Sequence, residues 1–356
     1  MAEQNLNNSA LPVGEERNFI GRTDVLGKIY GILSGDRPDR INAIVLWGVP
    51  YIGKTTIIQQ LIKDLSEKRK CSFLDYNLKS KKVSSPNIKG LEPYRPLLES
   101  FFADPLSISD QMSDLLPPNT DLFLIFKEFD ALDTSQYNDK NLSDFGKAIR
   151  HERLKFIFVV DRQPNEDTCP LLKDIQICHV SCLSRKKADQ LVHFSADSLV
   201  WDQHSLDRIW SLTCGHPYLI QHICAVIMNQ INQDTVKPAD IDTAIPDTLR
   251  RIDGAMRKIW KKLTDAEQRI AYILANSSVS LETLSNATKL PDNDLKDALQ
   301  ILQKWGLVKQ TDNKRYYFQT ELIGQWVEQL DEIETKDILI AIMVGFFVIF
   351  ILFYFL

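Results

Sequence analysis

The chain alternates between two hydrophobic periods. Short apolar runs rich in β-branched and aromatic residues recur at 43–47, 71–76, 121–126, 155–160 and 175–180. Runs of that length and composition predict buried strands. Between most of them the apolar positions repeat every three or four residues, as in TIIQQLIKDLSEK after the first run. Strand and helix in alternation predict an α/β fold with a parallel sheet, and such sheets bind ligands beyond the carboxyl ends of their strands. From residue 184 to 248 the helical period continues through RKKADQLVHF, SLDRIWSL and PYLIQHICAVIMNQI, so this stretch is predicted helical throughout. Residues 264–330 have a third pattern. LTDAEQRIAYILA, SLETLSNATK and PDNDLKDALQILQKWG predict three helices, the last stopped by Gly306. LVKQTDNKRYYFQ predicts a hairpin turning at Asp312-Asn313. Three helices and a hairpin predict a winged helix-turn-helix.

The last 19 residues, Ile338 to Leu356, carry no charge. As a helix they would span roughly 28 Å, close to the ~30 Å of a bilayer core. They are apolar on every face, and Tyr354 lies where an aromatic anchor belongs. One transmembrane tail anchor is therefore expected, preceded by an acidic linker at 331–337. A buried core helix is the plain alternative. The first 17 residues are polar and lack an apolar h-region, so no secretory signal is expected and the bulk of the chain is expected to face the cytosol.

Across 356 residues the formal net charge is −5, which leaves no global basic field to draw the chain onto nucleic acid. The six cysteines are scattered without a CxxC pair, so they predict neither a zinc site nor a disulfide framework. The segment 78–96 is rich in Lys, Ser and Pro and predicts a loop insert. Its Lys79, Lys81, Lys82 and Lys89 could meet an anionic surface or a partner, but a solvated loop is the plainer reading.

The first predicted strand runs into Gly48-Val49-Pro50-Tyr51-Ile52-Gly53-Lys54-Thr55, then Thr56. This is GxxxxGK followed by Thr, with a strand before it and a helix after it, the context that a P-loop requires. The glycines let consecutive N–H groups face inward, and the helix start adds about half a positive charge. Lys54 is expected to reach the β- and γ-phosphates of ATP or ADP, and the Thr55 hydroxyl to ligate Mg²⁺. The strand at 121–126 is followed by Lys127, Glu128 and Asp130. An Asp is expected directly after such a run, and Lys127 stands there instead. An ammonium ~4 Å from Mg²⁺ would cost about 8 kcal/mol at an effective dielectric near 20. Lys127 must then swing away, touch phosphate itself or exclude the metal. Glu128 is placed to orient a water, and Asp130 to compensate at the metal. A solvated loop after a strand is the alternative for both.

With these motifs the chain resembles the STAND branch of AAA+ P-loop ATPases, over roughly residues 17 to 330. Asn18-Phe19-Ile20-Gly21-Arg22 looks like the family's hhGRE motif, whose backbone contacts adenine, although Thr23 takes the acidic position. LKFIFVVDRQ looks like the strand that ends in sensor 1, at Arg162. Cys214-Gly215-His216-Pro217-Tyr218-Leu219 looks like the GxP element of the helical lid, whose proline packs on the base. Arg162 also reads as a surface charge, and His216 as a residue that starts a helix. The resemblance implies a tail at 1–16, a nucleotide-binding domain at 17–182, a lid at 183–250 and a winged helix at 251–330. It implies a membrane-anchored switch, with the nucleotide between sheet and lid, that recruits a partner or associates with itself. Two rival readings remain open. One is a tethered DNA-binding regulator, opposed by Asp292, Asp294 and Asp297 on the candidate reading helix. The other is a working ATPase, opposed by Lys127.

Overall fold

The computed structural model describes residues 20–33, 41–88, 91–133, 138–164, 169–231 and 233–330. Phe19, Lys89 and the apolar tail at 338–356 lie outside the described residues. Among the described residues no helix is long and apolar enough to cross a membrane. The chain divides into two compact units, Met1–Ser181 and Cys182–Leu356.

The first unit runs α1 (Thr23–Leu33), β1 (Ala43–Trp47), α2 (Lys54–Lys68), β2 (Cys71–Asn77), β3 (Lys82–Ser84), α3 (Tyr94–Ser100), α4 (Pro105–Asp114), β4 (Asp121–Lys127), α5 (Asp139–Ala148), β5 (Leu154–Val160) and β6 (Gln176–His179). One six-stranded sheet has the order β3-β2-β4-β5-β1-β6. Every pairing is parallel except that of β2 with β3. All five residues of β1 and all seven of β5 are buried, as expected where helices cover both faces. Phe101, which follows α3, packs with Phe126 of β4, Phe145 of α5 and Phe156 of β5; Phe102 packs with Phe126 and Phe145, and Phe158 of β5 joins the cluster through the same two rings. Ring centroids there are 5.0 to 6.4 Å apart. Aromatic pairs of this geometry add about 0.5–1.5 kcal/mol each beyond their buried area.

The basic insert is more than the predicted loop. Asp75, Tyr76 and Asn77 pair antiparallel with Ser84, Val83 and Lys82, so the insert closes the open edge of β2. Lys82 and Ser84 are exposed on this new edge, where a charge discourages pairing with another chain. The insert ends inside helix α3, which begins at Tyr94.

The second unit contains α6 (Arg185–Ser195), β7 (Val200–Trp201), α7 (Gln203–Thr213), α8 (Pro217–Gln230), β8 (Thr235–Val236), α9 (Pro238–Trp260), α10 (Asp265–Asn276), β9 (Val279–Ser280), α11 (Leu281–Thr288), α12 (Asp292–Lys304), β10 (Val308–Gln310) and β11 (Arg315–Phe318). Residues 321–330 are also helical. The predicted all-helical stretch at 184–248 is interrupted by β7 and β8, which pair in parallel. Helix α9 crosses residue 250 without a break. α10 starts with a capping box, in which Thr264 accepts from the Glu267 N–H and Glu267 accepts from the Thr264 N–H. β10, β11 and β9 form a three-stranded antiparallel sheet beside α10 to α12. Arg208 of α7 binds Asp242 of α9 at 2.6 Å and both carboxylate oxygens of Glu321, at 2.6 and 3.0 Å. That fork holds the start of the 321–330 helix against α7 and α9.

Candidate functional site

The loop 48–53 lies between β1 and α2, and its backbone explains its glycines. A Cβ on Gly48 would lie 2.5 Å from the carbonyl oxygen of Val180, so only glycine fits. Gly53 has φ +100, a left-handed conformation that side chains resist, and nothing lies within 4 Å of its Cβ position. The loop therefore opens onto free space at the point where the α2 N–H groups emerge. Tyr51 also has positive φ, +64, which for a non-glycine residue marks strain. Val49 and Ile52 are buried, Pro50 is half-buried and Tyr51 is exposed.

Lys54 is the first residue of α2 and is 8% exposed. Its ammonium donates to the carbonyls of Gly48 and, at 3.0 Å, Val49. It also donates to Oδ1 of Asp161 at 2.7 Å. Asp161 follows β5 directly and is itself buried. Its backbone N–H donates to Oδ2 of Asp130 at 2.7 Å. Thr55 is exposed and Thr56 half-buried on the first turn of α2.

Lys127 ends β4, opposite Asn77 of β2. Its ammonium forms an ion pair with Asp75 of the same strand. Burial pushes the Asp75 carboxyl up from its ordinary value, and the lysine pulls it back down. Of the three options open for Lys127, the structure shows the side chain occupied by a neighbouring strand. Glu128 is half-buried and left-handed, with φ +53, and it opens the short turn that carries Asp130. Arg162, next to Asp161, is half-buried.

Before α1, Ile20 and Gly21 are half-buried, and Gly21 has φ +76. The buried Arg22 donates to the carbonyl of Ile52 at 3.1 Å, which holds this segment on the phosphate loop. Trp47 and His179, at the ends of β1 and β6, stack with centroids 3.9 Å apart and planes 13° apart. Burial lowers the His179 pKa, and Arg22 lowers it further. In the second unit His216 is buried at the start of α8, and Pro217 is the first residue of that helix.

The sequence reading missed two members of this constellation. Asp161 stands directly after the apolar run of β5, one residue before the Arg162 to which the resemblance pointed. Arg22 lay inside a quoted motif without being assigned a contact. A separate cleft of about 340 Å³, lined by Tyr76, Leu78, Lys81, Phe102, Leu132 and Asn141, does not include the phosphate loop.

The arrangement suits a nucleotide phosphate. It offers a glycine-walled loop open above Gly53, a helix start and a lysine ammonium. Among the described residues no group of three His, Cys, Asp or Glu side chains is placed to hold a metal ion. Mg²⁺ would thus need the phosphate oxygens as partners, which is its usual mode in such sites. Thr55 follows Lys54 on α2, and Asp130 accepts from the backbone N–H of Asp161, so the two residues expected at the metal each adjoin the Lys54–Asp161 pair.

No family model and no curated protein matches the sequence. Solved structures do match. The Walker-type ATPase of Pyrococcus abyssi superposes with a TM-score of 0.60 at 13% identity, covering 89% of this chain and 98% of that one. RuvB of Thermotoga maritima, a Holliday-junction branch-migration motor, gives 0.45 at 14% identity, with 86% and 94% covered. Cdc6p of Pyrobaculum aerophilum gives 0.42 at 13% identity, with 90% and 97% covered. The fold is that of a P-loop ATPase, with a mostly parallel sheet and a complete phosphate-binding loop.

Proposed function

We propose that the chain is a membrane-anchored nucleotide switch of the STAND type. The observation that carries this reading is the intact loop from Gly48 to Thr55, with Lys54 buried where the loop enters α2. ATP or ADP is the ligand, with Mg²⁺ joining through the phosphates. Ile20 and the backbone near Gly21 are the proposed adenine contacts, and Phe19 belongs to the same motif. Arg162, His216 and Pro217 are proposed to sense the bound state. The module formed by α10–α12 and β9–β11 is read as a winged helix. The uncharged run 338–356 is the proposed bilayer anchor, which leaves the bulk of the chain cytosolic. The output is self-association or capture of a protein partner, controlled by the phosphate state. Sedimentation of the detergent-solubilised chain with ATP and with ADP tests this. A change in mass between the two nucleotides is the expected result, and identical profiles would remove the switch.

A working ATPase is the second reading. It gains support from the Lys127–Asp75 pair, because an ammonium held by Asp75 no longer opposes a metal at the phosphates. Steady turnover that Glu128→Gln abolishes would favour it. DNA binding has little support, since Asp292, Asp294 and Asp297 are all exposed at the start of α12.

A further inference from the structure

The contact that the sequence did not foresee joins Lys54 to Asp161. An ammonium has three donor hydrogens, and among the described residues the carbonyls of Gly48 and Val49 and Oδ1 of Asp161 all accept from Lys54. A phosphate that reaches this lysine therefore competes with acceptors already in place. The two carbonyls are neutral, whereas Asp161 brings a formal negative charge into a pair whose side chains are only 8% and 11% exposed. The carboxylate is also fixed from behind, because Asp130 holds the backbone N–H of Asp161 at 2.7 Å. β5 sets its position, as Val160 is in register with Trp47, the residue before Gly48.

A nucleotide arriving without metal would put its phosphate charge against Asp161 while both compete for one ammonium. In a largely water-excluded site that repulsion is strong. A divalent cation on the phosphates reverses the sign, because the carboxylate then faces a second positive centre. We propose that Asp161 makes nucleotide capture conditional on a divalent cation, by competing with phosphate for Lys54 whenever the metal is absent. The proposal rests on the nucleotide-binding reading above. It makes Asp161 a positioning residue that acts through Lys54, and Asp130 the group that holds it in place.

The test is equilibrium binding of a fluorescent ATP analogue to the full-length protein, once with Mg²⁺ and once with EDTA. Wild type should bind with Mg²⁺ and lose about tenfold or more of its affinity in EDTA. Asp161→Asn should bind about tenfold tighter than wild type in EDTA and lose most of the benefit of Mg²⁺. A purely structural role for Asp161 would weaken binding in both media alike, and that result would overturn the proposal. Asp161→Glu keeps the carboxylate and should keep the metal dependence. If Asp161→Asn fails to fold, Asp130→Asn loosens the same carboxylate and should shift EDTA binding in the same direction by a smaller factor. No shift in that variant would count against the proposal equally. Wild type that binds no analogue in either medium would instead remove the nucleotide reading on which the proposal stands.

Discussion

Lys127 is the residue whose role changes most between sequence and structure, and its substitution has a calculable cost. The Lys127 and Asp75 side chains are 26% and 18% exposed, between a surface pair and a buried one. Surface pairs contribute about 0–1 kcal/mol, while removing one partner of a buried pair costs about 3–5 kcal/mol. Lys127→Met should therefore destabilise the first unit by about 1–3 kcal/mol at pH 7. The dependence on pH has a definite sign. Burial already raises the Asp75 carboxyl, and losing Lys127 raises it further. A carboxyl whose folded pKa exceeds its unfolded one is favourable to folding in acid, and that contribution fades as pH rises through the folded value. The deficit of the variant should thus be largest at neutral pH and shrink toward pH 4. Lys127→Asp, which would restore the expected acidic residue, sets two carboxylates side by side and should cost more, about 2–4 kcal/mol after allowing for solvent screening. Asp75→Asn combined with Lys127→Met removes both charges and should return to within about 1 kcal/mol of wild type. Pulse proteolysis of the full-length protein across a urea series measures these losses. Lys127→Met with wild-type stability at pH 7, or a double variant no better than the single one, would refute the ion pair as the role of Lys127.

Three further outcomes follow from the second unit. His222, which accepts from Arg251 Nε at 3.0 Å, has its pKa lowered to about 4 by burial and then by Arg251. Its contribution to stability is present above the unfolded value near 6.5 and is lost as pH falls toward 4. With screening that is about 1 kcal/mol lost by pH 5, and His222→Gln should flatten the unfolding midpoint over that range. Gly215→Ala would place a Cβ 2.3 Å from the Leu183 carbonyl oxygen at φ +76, and should cost about 2–4 kcal/mol in urea unfolding. A loss under about 0.5 kcal/mol would contradict that packing. Arg208→Met removes the fork to Asp242 and Glu321 and should speed hydrogen exchange across residues 321–330, with about 1–2 kcal/mol of stability lost. Unchanged exchange in that helix would show that apolar packing alone holds it.

The parallel strands were legible because burial on both faces forces continuous apolar sequence. Leu154 to Val160 has that composition, and its one lysine, Lys155, is 7% exposed and donates from its end to the carbonyl of Glu152 at 2.9 Å. β3 was not legible, since Lys82 and Ser84 are exposed and only Val83 is half-buried, so no period marks it. The phosphate loop was legible because its backbone demands glycine at fixed positions. The Lys127–Asp75 pair was hidden for another reason. The two residues are far apart in sequence, and only the β2–β4 register, with Asn77 opposite Lys127, brings them together. Asp161 was not singled out, because its pairing with Lys54 depends on β5 lying beside β1, which alternating periods do not specify.

A nucleotide held at Lys54 is what the proposed switch depends on. The most direct measurement is the nucleotide content of the purified full-length protein, by denaturing extraction and chromatography, followed by binding of added ATP and ADP. Wild type should carry or bind one nucleotide per chain, and Lys54→Ala should abolish it without changing the far-ultraviolet circular dichroism. A well-folded wild type that neither carries nor binds nucleotide would contradict the account.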